Sequence, residues 1–266
     1  MDVEEVTKLF ASLSLTDKDG PVVKLDTHME EIQEPKVAPS LVGKIFANEL
    51  INRYVFKRNI PKIWRTTQEF EVEWIRENIF AFHFTNQMDR KRVIARGPWS
   101  FDNFLLALEE PKGLSDSDIA KMQFNCVEFW IQIHKAPLMC MNKQTVIFLG
   151  KQIGVLKAID LGESGHCWGE YLQVRVGIDA NKPLRRVLRV DLGGSEKEVV
   201  VMLLRYERLP KYCFHCGMLG HEHIECPEED SINRGKDYND TYKFGSWLRA
   251  SSIPKWKEKA STVMLI

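Results

Sequence analysis

The sequence predicts an α+β protein in which two sheet-rich units precede a small unit held by a metal ion. Three observations predict it. Between residues 41 and 110, strand-like and helix-like runs alternate in a readable order, and between 120 and 210 a second set follows with a similar rhythm. Then CFHCGMLGHEHIEC, residues 213–226, gathers three of the six cysteines and three of the seven histidines into fourteen residues. With 266 residues, 44% of them hydrophobic, the chain can bury a core of one or two domains plus extras.

In the first unit, LVGKIFA (41–47) is strand-like, and NELINRYVFKRNIPKIW (48–64) carries apolar residues at helical spacing, broken by Pro61 near its end. FEVEWIRE (70–77) and IFAFHFT (79–85) read as strands joined by a polar turn at Asn78. NQMDRKRVIARGPW reads as a helix starting at Asn86 and stopping at Gly97-Pro98, and FDNFLLALE (101–109) closes the set as a strand. The order β-α-β-β-α-β over 37–112 is that of the ferredoxin-like fold, which RNA-recognition domains also use. In IFAFHFT the period of two puts Phe80, Phe82 and Phe84 on one face, toward the helices, and sends Ala81 and His83 to the open one. Trp64, Trp74 and Trp99 read as core or boundary residues, and Cys126, Cys140 and Cys167 as buried or half-buried thiols.

The second unit, 120–210, begins with the strand FNCVEFWIQIHKAP, ending at Pro137. A helix MNKQTVIFLGKQIG follows, ending at Gly150 or Gly154, and then the strand VLKAIDL. YLQVRVGIDANKPLRRVLRVDL places strands on both sides of an Asn181-Lys182-Pro183 turn, and KEVVVMLLRYERLP runs into the cysteine cluster. Lys182, Arg185, Arg186 and Arg189, with Arg175 opposite, form the densest basic cluster of the sequence. It reads equally as the solvated face of a hairpin or as a phosphate-contacting surface. Residues 1–36 read as one amphipathic helix and a linker, and 229–266 as a tail whose end frays.

Cys213, Cys216, His221 and Cys226 have the spacing C-x2-C-x4-H-x4-C, which offers three thiolates and an imidazole to one tetrahedral zinc ion. Four protein ligands close the coordination sphere, so the zinc is structural rather than hydrolytic. His215 and His223 are rivals for the imidazole position, but His221 keeps the compact spacing. Fourteen residues bury too little to fold alone, so metal binding supplies the folding free energy of this segment. The stretch 211–228 resembles a retroviral-type CCHC zinc knuckle, which implies binding of single-stranded nucleic acid with Phe214 as the base-stacking residue. Phe214 packing on the knuckle's own backbone is the alternative. A second apolar position of such knuckles is here Glu222. Arg208 and Lys211 flank the knuckle, but between Arg205 and Arg234 four basic residues meet six acidic ones.

Across the chain, LVGKIFANELIN, RGPWSFDNFLLALEE, FWIQIHKAPLMCMN, GKQIGVLKAID, VRVGIDANKPLRR and RYERLPKYCFHCGMLGH resemble a large plant family, a domain of unknown function followed by a zinc knuckle. That family is similar to the gag-like first-reading-frame proteins of plant non-long-terminal-repeat retrotransposons. YKFGSWLRAS (242–251) resembles its aromatic-glycine-x-Trp-Leu-Arg-Ala motif, for which docking of an apolar tail onto the domain is the expected role.

Function classes are bounded by composition and motif. Lys plus Arg and Asp plus Glu both count 37, so polyanion binding must come from local patches. No run of 18 apolar residues and no basic-then-apolar start is present, which leads to the expectation of an intracellular protein with no membrane partner, in nucleus or cytoplasm, the nucleus first. A phosphate-cradling glycine loop, HExxH and a nucleophile elbow are all absent, so neither an enzyme nor a small-molecule substrate is expected. The expected partner is single-stranded nucleic acid, RNA ahead of DNA, bound through Phe214, Arg175, Lys182, Arg185, Arg186, Arg189, Arg208 and Lys211. A domesticated protein-interaction module, with protein partners or self-association, is the alternative.

Overall fold

A computed structural model describes residues 40–113, 115–161, 167, 169–193, 199–227, 242–251 and 262–266. The expected N-terminal helix and linker, and most of the tail after the knuckle, lie outside the described residues. All described residues belong to one compact unit.

The first sheet is built from β1 (Ser40–Ile45), β2 (Phe70–Arg76), β3 (Ile79–Phe84), β4 (Trp99–Phe101) and β5 (Phe104–Glu109), with helices α1 (Arg53–Trp64) and α2 (Gln87–Ala95) between them. Its order is β2-β3-β1-β5-β4, and every pairing is antiparallel. Asn52 caps α1 by accepting from the amides of Tyr54 and Val55, and Asn86 caps α2 in the same way through Met88. Pro61 does not break α1: the helix continues to Trp64, because Ile60 and Trp64 anchor its last turn in the core and Arg65, in the left-handed region, closes it onto the Pro61 carbonyl. What reads as one strand, FDNFLLALE, is half of a hairpin, since Asp102 and Asn103 both have positive φ and make a two-residue turn between β4 and β5.

Phe80, Phe82 and Phe84 point to the helices, where they meet Phe56, Trp64 and Phe101 in an aromatic cluster. The opposite face is not the open one expected. Val42, Ile79, Leu105 and Ala107 join a larger cluster that continues through Ile119, Phe124 and Val127 into the second sheet, and Ala81 is buried there. His83 lies between Ser40 (2.8 Å) and Glu73 (3.2 Å). Trp64 is buried and Trp99 half-buried, whereas Trp74 is exposed and carries the Arg53 guanidinium over its ring at 4.2 Å.

The second sheet contains β6 (Cys126–His134), β7 (Val155–Leu161), β8 (Tyr171–Asp179), β9 (Val187–Asp191), β10 (Val199–Tyr206) and β11 (Thr262–Leu265). A short helix α3 (Asp116–Lys121) leads into it, and α4 (Lys143–Ile153) covers β7 and β8 with Val146 and Leu149 buried. α4 runs through Gly150 and stops at Gly154. The sheet order, β11-β7-β8-β6-β10-β9, overturns two expectations. β8 and β9 do not form a hairpin; β9 pairs with β10 and β8 with β6 and β7, so Arg175 is not opposite the other cations. The chain end is not frayed, because β11 pairs with β7 and adds an edge strand. Cys140 and Cys167 are buried, but Cys126 is exposed at the start of β6. Among the described residues, no helix is long and apolar enough to cross a membrane.

Buried polar groups on the second sheet are tied together. Glu207, just past β10, accepts from Gln132 Nε2 and Gln173 Nε2, each at 2.8 Å, and burial raises its carboxyl above the usual carboxylate range, more than these bonds lower it. A raised folded-state value means that the native state holds the proton more tightly than the unfolded chain. Stability from this group is therefore full below the unfolded carboxylate range and is lost as pH rises through the raised value. Glu207→Gln keeps an acceptor for both glutamines without the buried charge. Its Tm advantage over the wild type should be larger at pH 8 than at pH 5; a variant less stable than the wild type at pH 8 would show that the charge is needed.

Candidate metal centre and nucleic-acid interface

The ligand atoms of Cys213, Cys216, His221 and Cys226 all lie within 4.8 Å of one another, with Cys216 Sγ and His221 Nε2 at 3.4 Å. Tetrahedral zinc, at about 2.3 Å from sulfur and about 2.0 Å from nitrogen, holds its ligands roughly 3.5–3.8 Å apart, so the donor set fits that ion in number, type and spacing. Local backbone bonds build the arrangement. Tyr212 and Leu219 form a bridge, Cys213 donates to Met218 O (2.8 Å), and Gly217 donates to Cys213 O (2.9 Å). Gly217 has φ of 78°, the conformation a loop this tight requires. A turn of 3₁₀-helix, His223–Glu225, then delivers Cys226. Burial raises the Cys213 thiol and pushes that of Cys216 up to about 12, so metal entry must displace protons. His223 is not part of the ligand set; its ring lies parallel to that of Phe214, with centroids 6.1 Å apart.

The knuckle is seated on the body from several sides. Lys211 N donates to Asn103 O (2.6 Å) in the β4–β5 turn, and Leu184 N, in the loop between β8 and β9, donates to Gly217 O (2.9 Å). The stretch 242–250 straps it from outside. Phe244 N donates to Phe214 O (3.0 Å), Tyr212 Oη donates to Gly245 O (2.6 Å), and Ala250 N donates to Tyr206 O (2.9 Å). The expected docking of this motif onto the domain thus has a definite form, although nothing in the sequence showed that its target is the knuckle.

The eight residues expected to touch nucleic acid do not form one surface. Phe214 is half-buried, with Tyr212 and His223 against its ring. The Arg175 side chain is 13% exposed, paired with Glu128 at 2.9 Å and donating to the carbonyls of Ile94 and Ala95. Arg208 donates to Arg96 O (2.7 Å), and Lys211 pairs with Glu222 at 3.1 Å, so the apolar position that this knuckle lacks holds a partner for its own lysine. Lys182 pairs with Asp179 (3.2 Å) and, with Arg185, lines a cavity of about 410 Å³ that also takes in Lys151, a residue that α4 supplies and sequence order could not link to them. Arg185 donates to Gln152 O, while Arg186 turns the other way, over the Phe244 ring and onto Lys243 O (2.6 Å). Arg189 is exposed on β9.

Comparison with known families bears on two parts of this architecture. Residues 178–228 match the zinc knuckle family. The match begins before the loop that donates to Gly217 O, so it covers the strands that carry the knuckle as well as its ligands. Residues 34–110, containing the first sheet, match a domain of unknown function, DUF4283. The chain is similar to an uncharacterized Arabidopsis thaliana protein, At4g02000, at 23% identity over 142 residues. That alignment takes in 53% of this chain and 43% of the relative, so the chain spans under half of the relative's length. No solved structure matches.

Proposed function

We propose that this protein is a zinc-stabilised, non-catalytic binder of single-stranded nucleic acid, RNA in preference to DNA, of the gag-like, retrotransposon-derived kind found in plants, acting inside the cell. The observation that carries it is the four-ligand cluster, built into a segment that matches the zinc knuckle family and braced against the body at fixed points. Zinc knuckles commonly bind nucleic acids. Three thiols and an imidazole fill one tetrahedral sphere and leave no position for a reacting water, which favours binding over catalysis and a single structural ion. The strand order β2-β3-β1-β5 with two helices between supports a ferredoxin-like reading of the first sheet.

The test is fluorescence anisotropy of labelled mixed-sequence 20-mers, RNA and DNA, with zinc-loaded protein. Binding at low salt is expected, with Lys182→Gln plus Arg185→Gln weakening all sequences alike and reducing the salt slope by about one per cation removed. No binding at low salt by the folded, zinc-loaded protein would overturn the proposal. A protein-interaction role is the second reading, and one observation favours it: the cations next to the knuckle are already engaged, Lys211 by Glu222 and Arg208 by Arg96 O.

A further inference from the structure

Within 242–250, nearly every side chain able to pack is turned inward. Phe244 and Leu248 are buried, and Arg249 donates to the carbonyls of Leu209 and Pro210 and lies over the Tyr212 ring at 5.1 Å. Trp247 is the exception, at 55% exposed. Its position is nonetheless defined. The indole folds back across Gly245, where an added Cβ would stand 1.9 Å from the ring, so only glycine lets it lie there.

Beside the indole is a cavity of about 270 Å³, lined also by Val187, Leu203 and Leu204 and by Arg186 and Arg205. Arg205 and Leu203 alternate along β10 with the buried Leu204 and Met202, and across the ladder Val187 is opposite Leu203 and Arg189 opposite Val201. Arg189 and Arg205 therefore stand on the same side of the sheet, flanking the apolar pair. Among the described residues, neither guanidinium has an ion pair or a side-chain hydrogen bond. Asp191 is the carboxylate of β9 on this side, at the far end opposite Val199. A flat aromatic ring beside an aliphatic lining, between uncommitted cations, is complementary to an unpaired base with phosphates on either side.

We propose that this face, rather than Phe214, is where single-stranded nucleic acid stacks: a base lies on Trp247 beside Val187 and Leu203, and the neighbouring phosphates meet Arg205 and Arg189. The assignment rests on the nucleic-acid reading above and gives the 242–250 motif two tasks, one inward to the knuckle and one outward to a ligand. Base stacking of this kind carries roughly tenfold or more in affinity per base.

The experiment uses the full zinc-loaded chain and labelled mixed-sequence single-stranded 20-mers. Trp247→Ala should weaken binding about tenfold or more and Trp247→Phe should restore most of it. Arg189→Gln with Arg205→Gln should flatten the salt slope by about two. Unlabelled oligonucleotide should quench tryptophan fluorescence in the wild type, and less so in Trp247→Phe. Circular dichroism and zinc content of each variant should match the wild type, because the substituted side chains are not buried. Wild-type binding that Trp247→Ala leaves unchanged, with equal quenching in Trp247→Phe, would overturn the assignment and leave the nucleic-acid reading standing. No binding by the wild type at low salt would bring down both and leave the face to a protein partner.

Discussion

Withdrawing zinc with a chelator, or replacing Cys216 with serine, will unfold the knuckle and loosen parts of the body that hold no ligand. Structural zinc contributes about 10–16 kcal/mol of apparent binding free energy in small knuckle-like units, as much as the whole stability of a typical domain. In this chain that free energy reaches beyond residues 213–226. The Leu184 and Phe244 amides donate to carbonyls of the knuckle, and Lys211 N bonds the β4–β5 turn. Tyr212, Leu219, Phe244 and Leu248 belong to the larger apolar cluster, so melting the knuckle exposes core surface. Hydrogen exchange read by mass spectrometry checks this: peptides covering 181–186 and 242–250 should lose protection together with 211–227 when zinc is removed. Loss confined to 211–227 would show that the seating contacts are weak.

Phe82→Ala will destabilise the protein by about 3–5 kcal/mol and leave the affinity of the folded molecule for oligonucleotides unchanged. Phe82 is fully buried, with its ring 4.7 Å from Trp64, 6.1 Å from Phe56 and 6.4 Å from Phe70, and truncation leaves a cavity that these three rigid rings cannot collapse to fill. In a chain this long, each kcal/mol corresponds to about 2–4 °C in Tm, so the shift is easily read by calorimetry. The measurement also discriminates between functions for IFAFHFT. A base-stacking strand would respond the other way, with affinity falling and Tm holding.

Much of this architecture was legible because it depends on short-range pattern. Alternating phenylalanines, Asn86 at the start of α2, and four ligands within fourteen residues each carry their own physical reason. What was not legible depends on pairing over distance. YLQVRV and RVLRVDL flank a turn and resemble a hairpin, yet β10 inserts beside β6 and takes β9 as its partner, which scattered a basic cluster that sequence order had drawn together. Cation availability was equally hidden: Arg175 and Arg208 are anchored by carbonyls of α2's last turn and the residue after it, about 80 and 112 positions away, respectively. Trp247 drew attention through its motif, but its separation from the motif's buried residues is visible only once Gly245 and Leu203 are placed.

Gly217 has a further consequence. A Cβ at this position would stand 2.3 Å from the Phe244 ring, so a glycine inside the zinc loop and an aromatic beyond it must be kept or lost together. A knuckle of this kind is not portable. Grafting residues 211–227 onto another carrier, or exchanging them for a foreign finger, would leave Phe244, Leu184 and Asn103 facing the wrong neighbour.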